Sequence, residues 1–230
     1  MRASFILAVA ALTAPAAPVA HDLRLERDGD ELVLRSRHHG GEALPIDPAR
    51  VTSIRCLERG GAPSEIRAVA VASPTAIRVA ATCEVARALL DGGFWSLTPD
   101  GAVNLPRTKV AQSVGSWHSR QFAKWVDART PASGVVLGDE LEMVLVGDAS
   151  RSRVGDKVTV RVLSRGRPVP GAVVAVDHKP LGETDSAGET RVRIRSASIE
   201  TIDATVKRPL ASPEAETQIL EASLTFEVAR

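Results

Sequence analysis

Short runs of alternating apolar and polar residues, each bounded by turn-forming residues, recur along this chain. The clearest run lies near the C-terminus, where Leu224, Phe226 and Val228 alternate with Thr225 and Glu227. A side-chain period of two is typical of a strand with one buried face, and long helical periodicity is missing. The pattern therefore predicts an all-β fold.

The first half of the chain contains five such runs. They predict strands at Leu23–Glu26, Glu31–Arg37, Val51–Leu57, Ile66–Val71 and Ala76–Ala81.

Three further segments of the first half are less regular. Residues 84–93, EVARALLDGG, are the best helix candidate, although they could also be a strand that enters the following Asp-Gly-Gly turn. Residues 94–106, FWSLTPDGAVNLP, predict a hairpin because Pro-Asp-Gly suits a tight turn. Residues 116–126, SWHSRQFAKWV, fit either a helix stripe or a strand, and we favour the strand.

A polar connection at residues 127–139 separates the two halves, and the pattern beyond it is cleaner. Six or seven short antiparallel strands in about 90 residues indicate a β-sandwich of the immunoglobulin-like type. We therefore predict a signal peptide at 1–20, a β-rich domain at 21–134 and a β-sandwich domain at 135–230. The strands of the second half are predicted at Glu140–Val146, Lys157–Ser164, Gly171–Asp177, Glu189–Arg195, Ile199–Val206 and Gln218–Val228.

The first twenty residues have the organisation of a secretory signal. Arg2 provides the positive charge, residues 5–12 are apolar, and residues 13–20 are rich in Ala and Pro. The apolar run is too short to span a bilayer, and no later run reaches about 18 apolar residues. We expect a periplasmic or secreted protein with no membrane span after cleavage.

The chain contains two cysteines, Cys56 and Cys83. In an oxidising compartment such an isolated pair is expected to form a disulfide. A thiolate metal site or redox site would need closer spacing or a third soft ligand. The pair therefore predicts a structural bridge within the first half.

Composition argues against several classes of ligand. The chain has 29 Lys and Arg against 28 Asp and Glu, and a nearly neutral chain offers no general attraction for nucleic acid or anionic lipid. Aromatic residues make up 3% of the chain, and Tyr is absent, which disfavours platforms that stack bases or sugars. We expect no nucleic-acid partner.

The sequence also lacks the common catalytic motifs. It has no G-x-S-x-G elbow, no HExxH helix, no P-loop and no dinucleotide-binding glycine pattern. Five histidines and a cysteine pair expected to be oxidised do not single out a catalytic group. We expect that the protein is not an enzyme.

His21 follows directly after the small-residue run that ends at Ala20. If cleavage occurs there, the new α-amine and the ring Nδ1 of His21 can chelate one metal ion, which suits Cu(II), Ni(II) or Co(II). The simpler alternative is a polar residue that happens to follow the signal. Cleavage after Ala16 is a further alternative, because Pro18 at position −3 departs from the usual A-x-A pattern. That cut would leave APVA ahead of His21 and remove its amine from the chelate.

Other histidines are weaker candidates for the same metal site. His38 and His39, in RHHG, lie on opposite faces of a predicted strand end, so only one is expected to join a given site; both could also be simply solvated. His118 could be a ligand or a partly buried imidazole bonded to backbone. His178, in VDHKPLGE, is interpreted as structural.

The order of several segments resembles a known family. They are HDLRLE after the signal, HHG followed by PIDPARV, DGGFWSLTPDGAVNLP, SWHSRQFAKWV, LGDELEMVLV, RVGDKVTVRVLSRGRPVPGAVV and TDSAGE. The mature chain resembles the exported nickel-uptake substrate-specific family, a domain of unknown function accessory to energy-coupling-factor nickel and cobalt transporters. Its second half resembles carboxypeptidase-regulatory and transthyretin-like sandwiches.

The resemblance implies a periplasmic, non-enzymatic protein that binds nickel or cobalt, or copper, and whose partners are components of a membrane metal transporter. It implies His21 as the N-terminal ligand and His39 as the histidine of a strand-end element. His38 stands where that element has Gly, and His118 stands where an apolar residue is expected, as either an added ligand or a local substitution. The rival hypothesis is a metal-free interaction module that docks a membrane or cell-surface partner through its edge strands.

Overall fold

The computed structural model describes residues 22–29, 31–37, 43–62, 64–65, 70–79 and 83–229. Within these ranges the regular structure consists of eighteen strands and three short 3-10 turns, at Pro48–Arg50, Arg107–Lys109 and Pro131–Gly134. The strands are β1 (Asp22–Asp28), β2 (Glu31–Arg37), β3 (Ala43–Leu44), β4 (Val51–Leu57), β5 (Ser64–Glu65), β6 (Ala70–Ser73), β7 (Ala76–Val79), β8 (Val85–Thr98), β9 (Gly101–Val103), β10 (Gly115–Val126), β11 (Glu142–Val146), β12 (Lys157–Ser164), β13 (Arg167–Pro168), β14 (Val173–Val176), β15 (Lys179–Glu183), β16 (Glu189–Arg193), β17 (Ile199–Pro209) and β18 (Thr217–Glu227).

These strands form three sheets. The first has the order β1-β2-β7-β6, with β3 beside β2. The second has nine strands in the order β15-β14-β17-β18-β10-β8-β4-β5, with β9 beside β8. The third is formed by β11, β12, β13 and β16. The all-β prediction is confirmed. In the part of the chain that the structure describes, no helix is long and apolar enough to cross a bilayer.

The nine-stranded sheet is continuous between the two halves of the chain. β10 from the first half pairs in parallel with β18 from the second, from Trp117 opposite Thr217 to Val126 opposite Phe226. All other strand pairs in the described residues are antiparallel. The domain boundary at residues 134 and 135 stays a prediction, and main-chain hydrogen bonds of one sheet extend across it.

Two apolar cores hold the sheets together. The larger contains residues of the third sheet, such as Val160, and of the second sheet, such as Ile202 and Phe226, so the second half forms a two-layer sandwich. The smaller core joins the first sheet, through Leu25, to β8 and β10, through Trp125. Burial of these side chains is the main stabilising contribution to both layers.

Residues 84–93 are not helical: they enter β8, so the helix interpretation is wrong and the strand alternative is correct up to Leu90. The turn expected at Asp91-Gly92-Gly93 is wrong, because β8 continues to Thr98 and only a bulge in its pairing with β10 lies there. Val85 belongs to the larger core, whereas Ala86 and Ala88 belong to the smaller one. Because both faces of this strand are buried, its sequence lacks the alternation by which a half-buried strand is recognised. The strand favoured at residues 116–126 and the hairpin at 94–106 are confirmed as β10 and as β8 with β9.

The predicted disulfide is also confirmed. Cys56, in β4, is bonded to Cys83, just before β8, with a Cα–Cα distance of 5.4 Å. Both residues are buried in the smaller core. The bridge therefore fastens two neighbouring strands of the large sheet at the point where they enter the core.

Buried charges fasten the connection between the two halves to the sheet. Lys124, on β10, donates from Nζ to the carbonyl of Val135 (2.7 Å) and to Glu142 Oε2 (3.1 Å). Arg87, on β8, forms two contacts with Asp139, Nε to Oδ2 at 2.8 Å and Nη2 to Oδ1 at 2.7 Å. Burial lowers the pKa of Lys124 and raises that of Asp139. Residues 135–142 are thus held by ion pairs almost without solvent access.

Candidate functional site

Three of the four predicted metal ligands, His21, His38 and His39, lie outside the described residues. The structure does describe Asp22 and Arg37, which follow and precede them in sequence. Asp22 and Arg37 form the outermost described pair of the β1–β2 ladder. The structure therefore describes only the strand ends that adjoin these histidines in sequence.

The fourth predicted ligand, His118, lies on β10 and is paired with an acid. Its Nε2 is 2.8 Å from Asp91 Oδ1, and its ring stacks on Phe94 with the centroids 4.6 Å apart. Although burial opposes it, the hydrogen bonds from the Gly93 N–H and from His118 lower the pKa of Asp91. The imidazole is partly buried, as one of the two alternatives predicts, but its partner is a carboxylate and not the backbone. Its role as a metal ligand stays a prediction.

A cavity of about 180 Å³ lies where β1 meets the large sheet. The hydroxyl residues Thr205 and Ser223 contribute to its lining. Charged, imidazole and amide side chains from five parts of the fold also line it, and we call it the acidic pocket. They are Asp22 at the start of β1, Gln121 on β10, His178 between β14 and β15, Asp203 on β17 and Glu221 on β18.

The acidic pocket contains one compensated carboxylate and two that lack a cation. Asp22 Oδ2 lies 2.8 Å from His178 Nε2 and accepts a hydrogen bond from Arg24 Nη2 at 2.8 Å. Glu221 Oε2 accepts a hydrogen bond from the neutral Gln121 amide at 2.9 Å. Asp203 Oδ2 is shielded from solvent and has no hydrogen-bond partner. A buried acceptor without a donor is costly, and such atoms are uncommon in folded proteins.

The charges around Asp203 change its acidity strongly. Burial, together with the negative charges of Asp22, Glu221 and Asp177, raises the pKa of Asp203 to about 8, while Arg24 acts in the opposite direction. Burial also raises the pKa of Glu221, against the hydrogen bond from Gln121. The carboxyl groups of the pocket therefore outnumber its cations, and this excess of acids keeps Asp203 protonated at neutral pH.

His178 reaches Asp22 because of the turn that joins β14 and β15. Asp177 and His178 both have positive φ, 49° and 58°, as a tight primed hairpin turn requires at its two central positions. Asp and His tolerate the left-handed region better than most residues with a Cβ. The interpretation of His178 as structural missed its contact with Asp22, because these residues come from opposite halves of the chain. The only signal in the sequence is the pair of αL-tolerant residues after the VVAV run.

A second cavity, of about 340 Å³, adjoins the end of β2. Ser36, Trp95 and Ser119 are among its lining residues. Arg50 also lines it and donates to the Gly92 carbonyl at 3.0 Å. Because neighbouring side chains of a strand point to opposite faces and the β8–β10 bulge follows Ser119, His118 faces away from this cavity.

No preformed metal centre is present among the described residues: no three His, Cys, Asp or Glu side chains there lie close enough to hold one ion. His21, His38 and His39 are not part of that set. A metal site made only of described side chains would therefore require rearrangement.

Comparison with solved structures gives distant matches. The chain is similar to the fibronectin(III)-like modules of Clostridium thermocellum CbhA, with 12% identity, a TM-score of 0.25, and coverage of 92% of this chain and 94% of that one. It is also similar to the N-terminal four immunoglobulin domains of Dscam1 isoform 9.44, with 11% identity, a TM-score of 0.24, and coverage of 92% and 47%. Likenesses of this size carry no functional conclusion, and the sandwich is established by the chain's own sheets.

The sequence comparisons are more specific. No curated protein matches the chain. The model of one family, the domain of unknown function DUF4198, matches residues 42–205, which is well over half of the chain. The matched segment runs from the short strand β3 into β17 and so covers most of the large sheet. The chain therefore belongs to the DUF4198 family.

Proposed function

We propose that this chain is an exported, non-enzymatic protein that binds a divalent transition metal, nickel, cobalt or copper, and acts as an accessory to a membrane metal transporter. The proposed ligands are the α-amine and ring of His21, exposed by cleavage after Ala20, together with one imidazole of the adjacent pair His38 and His39. The proposal uses the resemblance to exported nickel-uptake proteins for the metal class. The ladder between β1 and β2 supports the choice of ligands.

The register of that ladder carries the proposal. Asp22 pairs with Arg37 in antiparallel register. The described ends of β1 and β2 therefore lie side by side, and in sequence they adjoin His21 and the pair His38 and His39. Metal–nitrogen bonds are about 2 Å long, so ligands of one ion must come from chain segments that lie close together.

The acidic pocket begins at Asp22, so several acids lie beside the described end of β1, and those that ionise raise the local concentration of cations. His118 is left out of the proposed ligand set because it comes from β10 and not from the ends of β1 and β2 on which the proposal rests. The matched histidine variants below separate these roles.

The test is titration with Ni(II), Co(II) and Cu(II) of mature protein whose first residue has been fixed by N-terminal sequencing. We expect His21→Ala, and one of the two variants His38→Ala and His39→Ala, to weaken binding at least about tenfold, which is about 1.4 kcal/mol. We expect the other variant of that pair and His118→Ala to remain within about threefold of the parent, or less than about 0.7 kcal/mol. If a protein that starts at His21 binds metal no more tightly than His21→Ala, the proposal is wrong.

The amine is tested separately from the ring by a protein that begins at Ala17. This form keeps the His21 imidazole but moves the α-amine four residues away. We expect it to bind copper and nickel more weakly than the form that begins at His21, because the two-nitrogen chelate is lost. Equal affinity of the two forms would remove the amine from the ligand set.

The rival function, docking through an edge strand, receives less support from the structure. β15 lies at one edge of the large sheet, and all five of its residues are exposed. It contains Lys179, Pro180 and Glu183, which are the residue types that protect sheet edges from further strand pairing. We therefore favour the metal-binding function.

A further inference from the structure

We propose that the acidic pocket is a binding site for a small organic cation, an ammonium group carried on a short hydrocarbon body. This site does not depend on the proposed metal site, because its residues and the proposed metal ligands are different. It is formed entirely by described residues.

The positions of Asp203 and Glu221 suit one positively charged group. Asp203 is paired with Ser223, and Glu221 with Thr205, in the antiparallel ladder of β17 and β18. The two acids are therefore diagonal neighbours on one face of the sheet, with Cβ atoms at most about 7–8 Å apart. An ammonium group has three N–H donors and no acceptor, so it can donate to both carboxylates at once.

The existing hydrogen bonds leave room for such a donor. Arg24 and His178 are both engaged with Asp22, and Gln121 gives Glu221 only a neutral donor. Asp203 Oδ2 has no donor and no access to solvent. A bound ammonium group would supply the missing hydrogen bond when the Asp203 carboxyl turns toward the cavity and releases its proton to solvent, and a charged donor makes that bond a strong one.

The size and walls of the pocket suit an organic cation better than a bare metal ion. Its volume of about 180 Å³ corresponds to that of roughly six water molecules. No three potential metal-ligating side chains of the described residues converge on one point. The remaining walls are largely apolar, as a site for a hydrocarbon body requires. They include Val173, Ala175 and Pro180, of which Val173 and Ala175 lie on the same face of the sheet as Asp203.

The test compares n-butylammonium with 1-butanol, which has the same hydrocarbon body and no charge, by isothermal titration calorimetry on metal-free protein. We expect the parent to bind n-butylammonium at least about tenfold more tightly than 1-butanol. The double variant Asp203→Asn/Glu221→Gln, which keeps the shapes of both side chains, is expected to lose this preference. Glu216→Gln, at an exposed carboxylate near the start of β18, is expected to keep it.

Several outcomes would overturn the proposal. One is equal binding of the two probes by the parent, and another is an unchanged preference in a double variant that still unfolds cooperatively. A third is that the double variant loses Ni(II) binding but retains n-butylammonium binding, which would assign the pocket to metal. The His21→Ala variant separates the two proposals: it should lose metal affinity and retain the full preference for n-butylammonium.

Discussion

Replacement of Glu142 by alanine is expected to destabilise the folded chain by about 3–5 kcal/mol, the typical cost of removing one partner of a buried ion pair. The Lys124 and Glu142 side chains are 2% and 1% exposed. Besides Lys124 Nζ, Glu142 accepts hydrogen bonds from the backbone N–H groups of Leu137 and Gly138. Alanine would leave a buried ammonium without its counter-ion and two N–H donors without an acceptor. Urea unfolding monitored by tryptophan fluorescence measures the loss.

The matched control is an ion pair at the surface. Arg107 and Glu216 are joined at 2.9 Å, and their side chains are 44% and 51% exposed. Glu216→Ala is expected to cost less than about 1 kcal/mol because solvent screens such pairs. The double variant Lys124→Met/Glu142→Gln removes both buried charges and should recover part of the stability lost in Glu142→Ala. If Glu142→Ala and Glu216→Ala have equal effects, the buried pair does not fasten residues 135–142 as argued.

The strands could be predicted where one face is buried and turn residues bound the run. The predicted bounds of Glu31–Arg37, Val51–Leu57 and Lys157–Ser164 coincide with those of β2, β4 and β12. β8 was harder because its two faces enter different cores, so its sequence has no polar face to mark the period. The residues of a strand indicate which of its faces are buried, but they do not indicate which core each face packs against.

The acidic pocket could not be predicted for a different reason. The parallel pairing of β10 with β18 brings Gln121 beside Glu221, and the turn at His178 reaches Asp22 across the two halves of the chain. Parallel pairing between distant strands has no local sequence signature. Single acids on alternating strands, such as Asp203, look like the ordinary solvent-facing residues of a sheet. Only the fold shows that their face is covered by β1.

The excess of acids in the pocket leads to the second prediction: Asp203→Asn should stabilise the protein at neutral pH. The pKa of Asp203 is raised from its usual 3.8 to about 8 in the folded chain. Between these two values the folded state retains a proton that the unfolded state has released. Stability therefore falls as pH rises through this window, by up to about 1.4 kcal/mol per pH unit. Asparagine keeps the shape of the side chain and has no proton to lose.

The difference in unfolding free energy between Asp203→Asn and the parent should therefore grow with pH. From pH 5 to pH 7 we expect an increase of about 1–2 kcal/mol, below the limit of about 2.7 kcal/mol that the linkage slope sets for two pH units, because the pocket can relax around the charge. Measuring the difference cancels the contribution of groups that behave alike in the two proteins. Asp100→Asn, in the exposed turn between β8 and β9, is the control and should run parallel to the parent. A flat difference for Asp203→Asn would mean that Asp203 titrates alike in the folded and unfolded chains, and that the pocket does not keep Asp203 protonated as its excess of acids implies.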